Sequence, residues 1–228
     1  MTSDWPAGCV IAVLGAESTG KTVLAAAIAE KLAANGATVS RVDEYLREWC
    51  DREGRTPRPD EQAGIAAEQT RRIDDAAARG FVVADTTAVM TAVYSDLLFD
   101  DTALYAAALA AQGRYAVTLL TALDIPWVAD GLQRDGPHVR EPVDAKVRAA
   151  LARAGVPYTV VHGSGDERLG NAWNAINSIA GGASGAGATG RFGLKKTPWT
   201  WACDKCSDPD CEHRLFSDLV AGKRPATP

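Results

Sequence analysis

The stretch Gly15-Ala16-Glu17-Ser18-Thr19-Gly20-Lys21-Thr22 constrains this chain more than any other. It satisfies G-x-x-x-x-G-K-[ST] at every fixed position and follows the apolar run Cys9 to Leu14. Such a loop lets the backbone turn its N–H groups inward between a buried strand and the positive N-terminal end of a helix, which makes a phosphate cradle. Gly15, Glu17, Ser18, Thr19 and Gly20 are therefore expected around a bound nucleoside triphosphate. Lys21 is expected on its β- and γ-phosphates, and the Thr22 hydroxyl in one Mg²⁺ position. ATP and Mg²⁺ are the implied ligands.

The 228 residues, 46% of them apolar, suffice for one ordinary domain with a well-filled core. A net charge of −5 does not favour nucleic acid or an anionic membrane, so an anion site has to be local. No apolar run approaches membrane-spanning length, and Met1 to Pro6 carries neither a basic region nor an apolar core for export. A cytoplasmic location is expected. The five cysteines are Cys9, Cys50 and three near the C-terminus, a distribution unlike a secreted disulfide framework.

Along the chain, strand and helix patterns alternate. Val23 to Leu32 reads as a helix stopped at Asn35-Gly36, and Thr38 to Val42 as a strand delivering Asp43-Glu44 at its end. A short helix from Tyr45, a loop over Arg52 to Pro59 and a long helix over Asp60 to Arg79 follow. Phe81 to Ala84 is a second strand that finishes in an acid, Asp85. Helices are expected over Ala88–Leu98 and Thr102–Gln112, and a strand over Tyr115–Leu120. The polar segment Asp130 to Arg140 is expected to be a lid. A helix over Pro142–Ala154, a strand over Tyr158–Val161 and a helix over Glu167–Ile179 close the pattern. The fold class is α/β, a P-loop NTPase-type parallel sheet flanked by helices, with ligands at the carboxyl ends of the strands. Residues 1–180 form this domain, 181–198 a Gly/Ala-rich linker, and 199–228 a short Cys-rich extension.

Together these motifs resemble the ribosylnicotinamide kinase domain of NadR-type proteins of bacterial NAD synthesis. The resemblance rests on the P-loop with its acid Glu17, on Glu44-Tyr45-Leu46-Arg47-Glu48, on Asp85-Thr86-Thr87 with Thr91, and on Asp124-Ile125-Pro126-Trp127-Val128-Ala129-Asp130-Gly131. Thr87 stands where many relatives carry a second aspartate. No nucleotidyltransferase sequence precedes the P-loop here, so the adenylyltransferase activity of the bifunctional proteins is not expected.

The resemblance implies an ATP-dependent kinase that phosphorylates ribosylnicotinamide to nicotinamide mononucleotide, the alternatives being a kinase for another nucleoside or an ATP-binding switch that recruits a partner. Phosphoryl transfer needs a cradle, a metal, a carboxylate for the acceptor proton and positive charge on the migrating group. Glu44 is the expected base, with Asp43 its rival and a helix cap the alternative role. Asp85 is the expected Mg²⁺ carboxylate, again with a helix cap as the alternative. Arg47 is placed on the acceptor side or on Glu44, or else paired with Asp51. Arg134 and Arg140, in the lid, would close over the phosphates. Trp127, Asp124 and Asp130 are assigned to the acceptor nucleoside, Trp127 packing on the pyridinium ring.

In the extension, Cys203, Cys206, Cys211 and His213 have the donor set of a structural Zn²⁺ site. A frayed tail with incidental thiols is the alternative. Lys195, Lys196 and the nearby tryptophans could instead make a docking surface for another protein.

Overall fold

The computed structural model describes residues 8–128 and 136–181. The linker, the extension and residues 129–135 lie outside the described residues. Asp130, Arg134 and the four expected zinc ligands are among those left outside.

Among the described residues, five strands, β1 (Val10–Leu14), β2 (Val39–Val42), β3 (Phe81–Asp85), β4 (Val117–Thr121) and β5 (Thr159–Val161), form one sheet in the order β2-β3-β1-β4-β5. All neighbours run parallel, with Val13 opposite Asp85 on one side of β1 and opposite Leu119 on the other. β1, β3 and β4 are buried at every position, which is why they read as continuous apolar runs rather than alternating ones.

Among the described residues, seven helices cover the sheet: α1 (Lys21–Ala34), α2 (Tyr45–Glu53), α3 (Pro59–Ala77), α4 (Ala88–Phe99), α5 (Tyr105–Gln112), α6 (Arg140–Arg153) and α7 (Gly165–Gly181). On one face, Leu24, Ile28 and Leu32 of α1 pack with Ala172 and Ile176 of α7 against Ile11, Val13 and Val83. Each fully buried aliphatic side chain there stabilises the fold by about 1.5–3 kcal/mol. On the other face, α4 and α6 bury Val89, Val93, Val147 and Leu151 over Leu14 and Leu120. Ile65 of α3 joins Trp49 and Cys50 of α2 in a smaller cluster.

Several boundaries differ from expectation, and three of them have identifiable reasons. α2 runs on to Glu53 and stops at Gly54, whose φ of 67° lies in the left-handed region, so the loop after it is shorter than the polar, Pro-rich composition suggests. α3 starts at Pro59, which occupies a first-turn position where its missing N–H costs nothing, and Glu61 accepts from the Arg58 N–H at 2.8 Å. α6 begins at Arg140, after a single 3₁₀ turn at Pro137–Val139. The C-terminal end of the expected lid is therefore helix. Among the described residues, no helix is long and apolar enough to cross a membrane.

Candidate functional site

The loop between β1 and α1 is held from beneath. Thr19 is fully buried, its hydroxyl 2.7 Å from the Ala16 carbonyl and 2.6 Å from the Thr121 hydroxyl. The Thr121 hydroxyl in turn lies 3.1 Å from the Leu14 carbonyl. At Gly15, with φ 147°, a Cβ would stand 2.0 Å from Thr121 Oγ1, so β4 leaves no room for a side chain. Gly20 takes φ 74° to turn the chain into α1, a conformation that costs glycine little. Lys21 Nζ donates to the Ala16 carbonyl at 2.8 Å, arching over the loop whose phosphates it is expected to meet. Glu17 is buried. Ser18 faces away, its Oγ donating to the Val128 carbonyl at 3.0 Å and accepting from the Val128 N–H at 2.8 Å. The side chains of Ser18 and Thr19 thus hold the loop, leaving the backbone to serve the phosphates.

Beside the loop stand the carboxyl ends of β2 and β3. Asp85 is 1% exposed, and the Thr22 hydroxyl hydrogen-bonds its carboxylate. Burial pushes the Asp85 carboxyl above the usual range; the Thr22 bond opposes this, the Glu44 charge adds to it, and Lys21 and Arg47 pull it back. Asp85 Oδ1 is buried with no hydrogen-bond partner among the described residues. A buried, unsatisfied carboxylate oxygen next to the Thr22 hydroxyl suits Mg²⁺ or one of its waters. The alternative of a helix cap belongs instead to Thr87, whose hydroxyl accepts from the Val89 N–H at 3.3 Å and donates to Gln112 Oε1 at 2.7 Å.

Glu44 precedes α2 but makes no side-chain cap bond. Its carboxylate is 11% exposed and meets Arg47 Nη2 at 3.4 Å. Asp43, its neighbour, points the other way: 65% exposed and paired with Arg41 at 2.7 Å. Successive side chains at a strand end alternate in direction, so one of the two acids enters the site and the other leaves it.

Across the loop, the ends of β4 and β5 are organised by Arg168 of α7, which the sequence reading overlooked. This guanidinium is 4% exposed and donates to the Thr19, Ala122 and Gly163 carbonyls and to Asp124 Oδ1. Burial lowers its proton affinity, and the Asp124 charge offsets this only in part. Asp124 also accepts from the Gly163 N–H at 2.6 Å. Asp124, expected against the acceptor, is thus occupied by scaffold. Arg140, expected on an open lid, is instead 8% exposed at the start of α6, with Nη1 donating to the Ile125 carbonyl at 2.9 Å. Its Nε and Nη2 are buried without a hydrogen-bond partner among the described residues, as is Trp127 Nε1. Among these residues no group of three or more His, Cys, Asp or Glu side chains could hold a metal.

The profile of one family, described as AAA domain, matches residues 10–168. The chain belongs to the AAA domain family. The match runs from β1 through the P-loop to Arg168 in α7, so every described residue of the site lies within this AAA domain. No curated protein matches its sequence. Among solved structures, a NadR protein in complex with NR is similar at 22% identity and a TM-score of 0.64, over 85% of this chain and 54% of that one. A NadR protein in complex with NAD and AMP-PNP is similar at 21% identity and a TM-score of 0.62, over 84% and 51%. The chain thus spans about half the length of these NadR structures. At such identity the likeness shows a shared fold alone; ATP and Mg²⁺ are the ligands that membership of the AAA domain family implies.

Proposed function

We propose that the protein is an ATP- and Mg²⁺-dependent kinase that phosphorylates the 5′-hydroxyl of ribosylnicotinamide to give nicotinamide mononucleotide. The observation that carries the reading is the convergence of Asp85, Thr22 and Glu44 beside Lys21: two carboxylates from adjacent strand ends meet one P-loop, and neither is used as a helix cap. A pure nucleotide-binding switch has no need of the second acid. The acceptor follows from the resemblance of the Asp124 to Gly131 motif and from the similar fold of a NadR protein in complex with NR.

In this reading Lys21 and the loop N–H groups hold the β- and γ-phosphates, and Thr22 and Asp85 hold Mg²⁺. The metal, when bound, neutralises charge that develops on the phosphate oxygens. Glu44 takes the proton of the acceptor hydroxyl, whose oxygen bonds to the γ-phosphorus while the bond to the β,γ-bridging oxygen breaks and ADP departs. Arg47 steadies Glu44 at 3.4 Å. Arg140, from the start of α6, offers its two unsatisfied nitrogens to the nucleotide, and Arg134 of the polar segment before it supplies a second cation. Trp127 and Asp130 receive the nucleoside, the indole packing on the cationic ring.

The test is ADP release with a panel of nucleosides. Ribosylnicotinamide should outcompete uridine, cytidine and deoxynucleosides. A pyrimidine nucleoside as best substrate would overturn the acceptor, and release that no nucleoside stimulates would overturn the kinase.

A further inference from the structure

Glu44 and Asp85 stand at the ends of neighbouring strands, and the Glu44 charge adds to the cost of ionising the buried Asp85. Something has to fix their separation when no metal bridges it. Arg47 reaches Glu44 at 3.4 Å, but from a side chain that is 41% exposed. A better candidate lies in the third helix.

Gln69 of α3 is 2% exposed, yet it carries a full amide. Its Oε1 accepts from the Tyr45 N–H at 2.7 Å. Its Nε2 has two hydrogens and faces two carbonyls, Asp43 at 3.4 Å and Thr86 at 3.5 Å. These three backbone groups flank the two acids: Asp43 and Tyr45 stand on either side of Glu44, and Thr86 follows Asp85. Thr86 is itself unusual, a buried β-branched residue at φ 70°, where a conformation of this kind persists only when its surroundings enforce it. Its N–H is anchored to the Val13 carbonyl of β1 at 3.1 Å, so the Gln69 amide reaches a point already fixed to the base of the P-loop.

Resting on the kinase reading above, we propose that Gln69 is a positioning residue that clamps the backbone around Glu44 to the backbone after Asp85 and so sets the spacing of base and metal carboxylate. The clamp is a side-chain amide bridging two strand ends from a helix that belongs to neither. A glutamine kept merely for packing has no reason to satisfy all of its polar atoms on residues adjacent to these two acids. Because 1 Å of misplacement in a reacting group costs about 10²-fold in rate, loosening the clamp acts on turnover before it acts on binding.

The experiment compares the full-length protein with Gln69→Met, which keeps volume and loses the three hydrogen bonds. The expected result is a folded protein with KM for ATP within about twofold, kcat lower by about 10–100-fold, and a several-fold higher Mg²⁺ concentration for half-maximal ATP binding. Gln69→Glu, which keeps the acceptor for Tyr45 but cannot donate to Asp43 and Thr86, should also lose turnover and serves if the methionine variant fails to fold. A folded variant with unchanged kcat and unchanged Mg²⁺ dependence overturns the proposal, as does a loss that tracks only the folded fraction. The Mg²⁺ titration needs no acceptor. If the wild-type protein phosphorylates no nucleoside, the kinase reading falls and that titration alone decides for or against the clamp.

Discussion

The two halves of the sheet end in acids that look alike in sequence and are used in opposite ways. On the β2–β3 side, Glu44 and Asp85 keep carboxylate oxygens available: one meets Arg47 only at 3.4 Å, and the other has a buried oxygen without a partner. On the β4–β5 side, Asp124 is consumed by Arg168 and the Gly163 N–H. An acid after a parallel strand therefore has no fixed meaning. The buried Arg168 of α7 saturates Asp124, whereas Asp85 Oδ1 has no hydrogen-bond partner among the described residues.

The comparison can be broken most severely at the loop that both halves share. Lys21→Ala should reduce phosphoryl transfer to background and weaken ATP binding, since it removes a charge aimed at the phosphates; unchanged affinity in a calorimetric titration would discard the P-loop assignment. Next comes a test of the open half. Glu44→Gln should lower kcat by about 10²–10⁴-fold while the protein melts normally, whereas Asp43→Asn, on an exposed side chain, should be far milder. If the order is reversed, Asp43 is the base.

The closed half should answer in stability instead. Asp124→Ala leaves the Arg168 guanidinium buried with no carboxylate partner among the described residues, and breaking such a pair costs about 3–5 kcal/mol at full burial and less where one partner reaches solvent, as Asp124 does. Tm should fall by several degrees, with ATP affinity following because the Thr19 carbonyl loses its fixed donor. A normal Tm with selective loss of nucleoside binding would return Asp124 to the acceptor site.

Asp85 sharpens the contrast by predicting a gain. Its folded-state pKa is raised, so its ionised form opposes folding; that cost sets in as pH rises through the raised value and is relieved as pH falls below it. Asp85→Asn should thus slow turnover, partly recoverable at high Mg²⁺, yet raise the Tm of the metal-free protein at pH above the raised value. A lower Tm would mean that the carboxylate is better satisfied than its surroundings imply. The smallest effect is expected at Ser18→Ala, which removes two solvent-accessible bonds to Val128 and should change KM for ATP by a few-fold at most.

How much of this was legible in the sequence depends on how far apart the partners lie. The strand, loop and helix around Lys21 are contiguous, and their pattern announces the sheet. Acids at strand ends are visible for the same reason. Their roles are not, because these are settled by distant residues: Arg168 lies 44 positions beyond Asp124, and Ser18 finds Val128 at a separation of 110. Arg168 sits in a helix whose periodicity gives no sign that its guanidinium turns inward to the Thr19 carbonyl. Arg140 was misjudged by composition, since the polar residues around it suggest loop, while Val143 and Val147 on the same helix draw it into the core.

The strand order also governs when the protein can begin to work as it is made. β1 and the P-loop emerge early, but Val10 pairs with Val82 and Ile11 with Val117. At a synthesis rate of about 5–20 residues per second, the second neighbour of β1 leaves the ribosome roughly 5–20 s after the first glycine of the loop. Throughout that interval Gly15 has no Thr121 to brace it. A nascent chain of this protein carries its most recognisable motif long before that motif has the shape to hold a nucleotide.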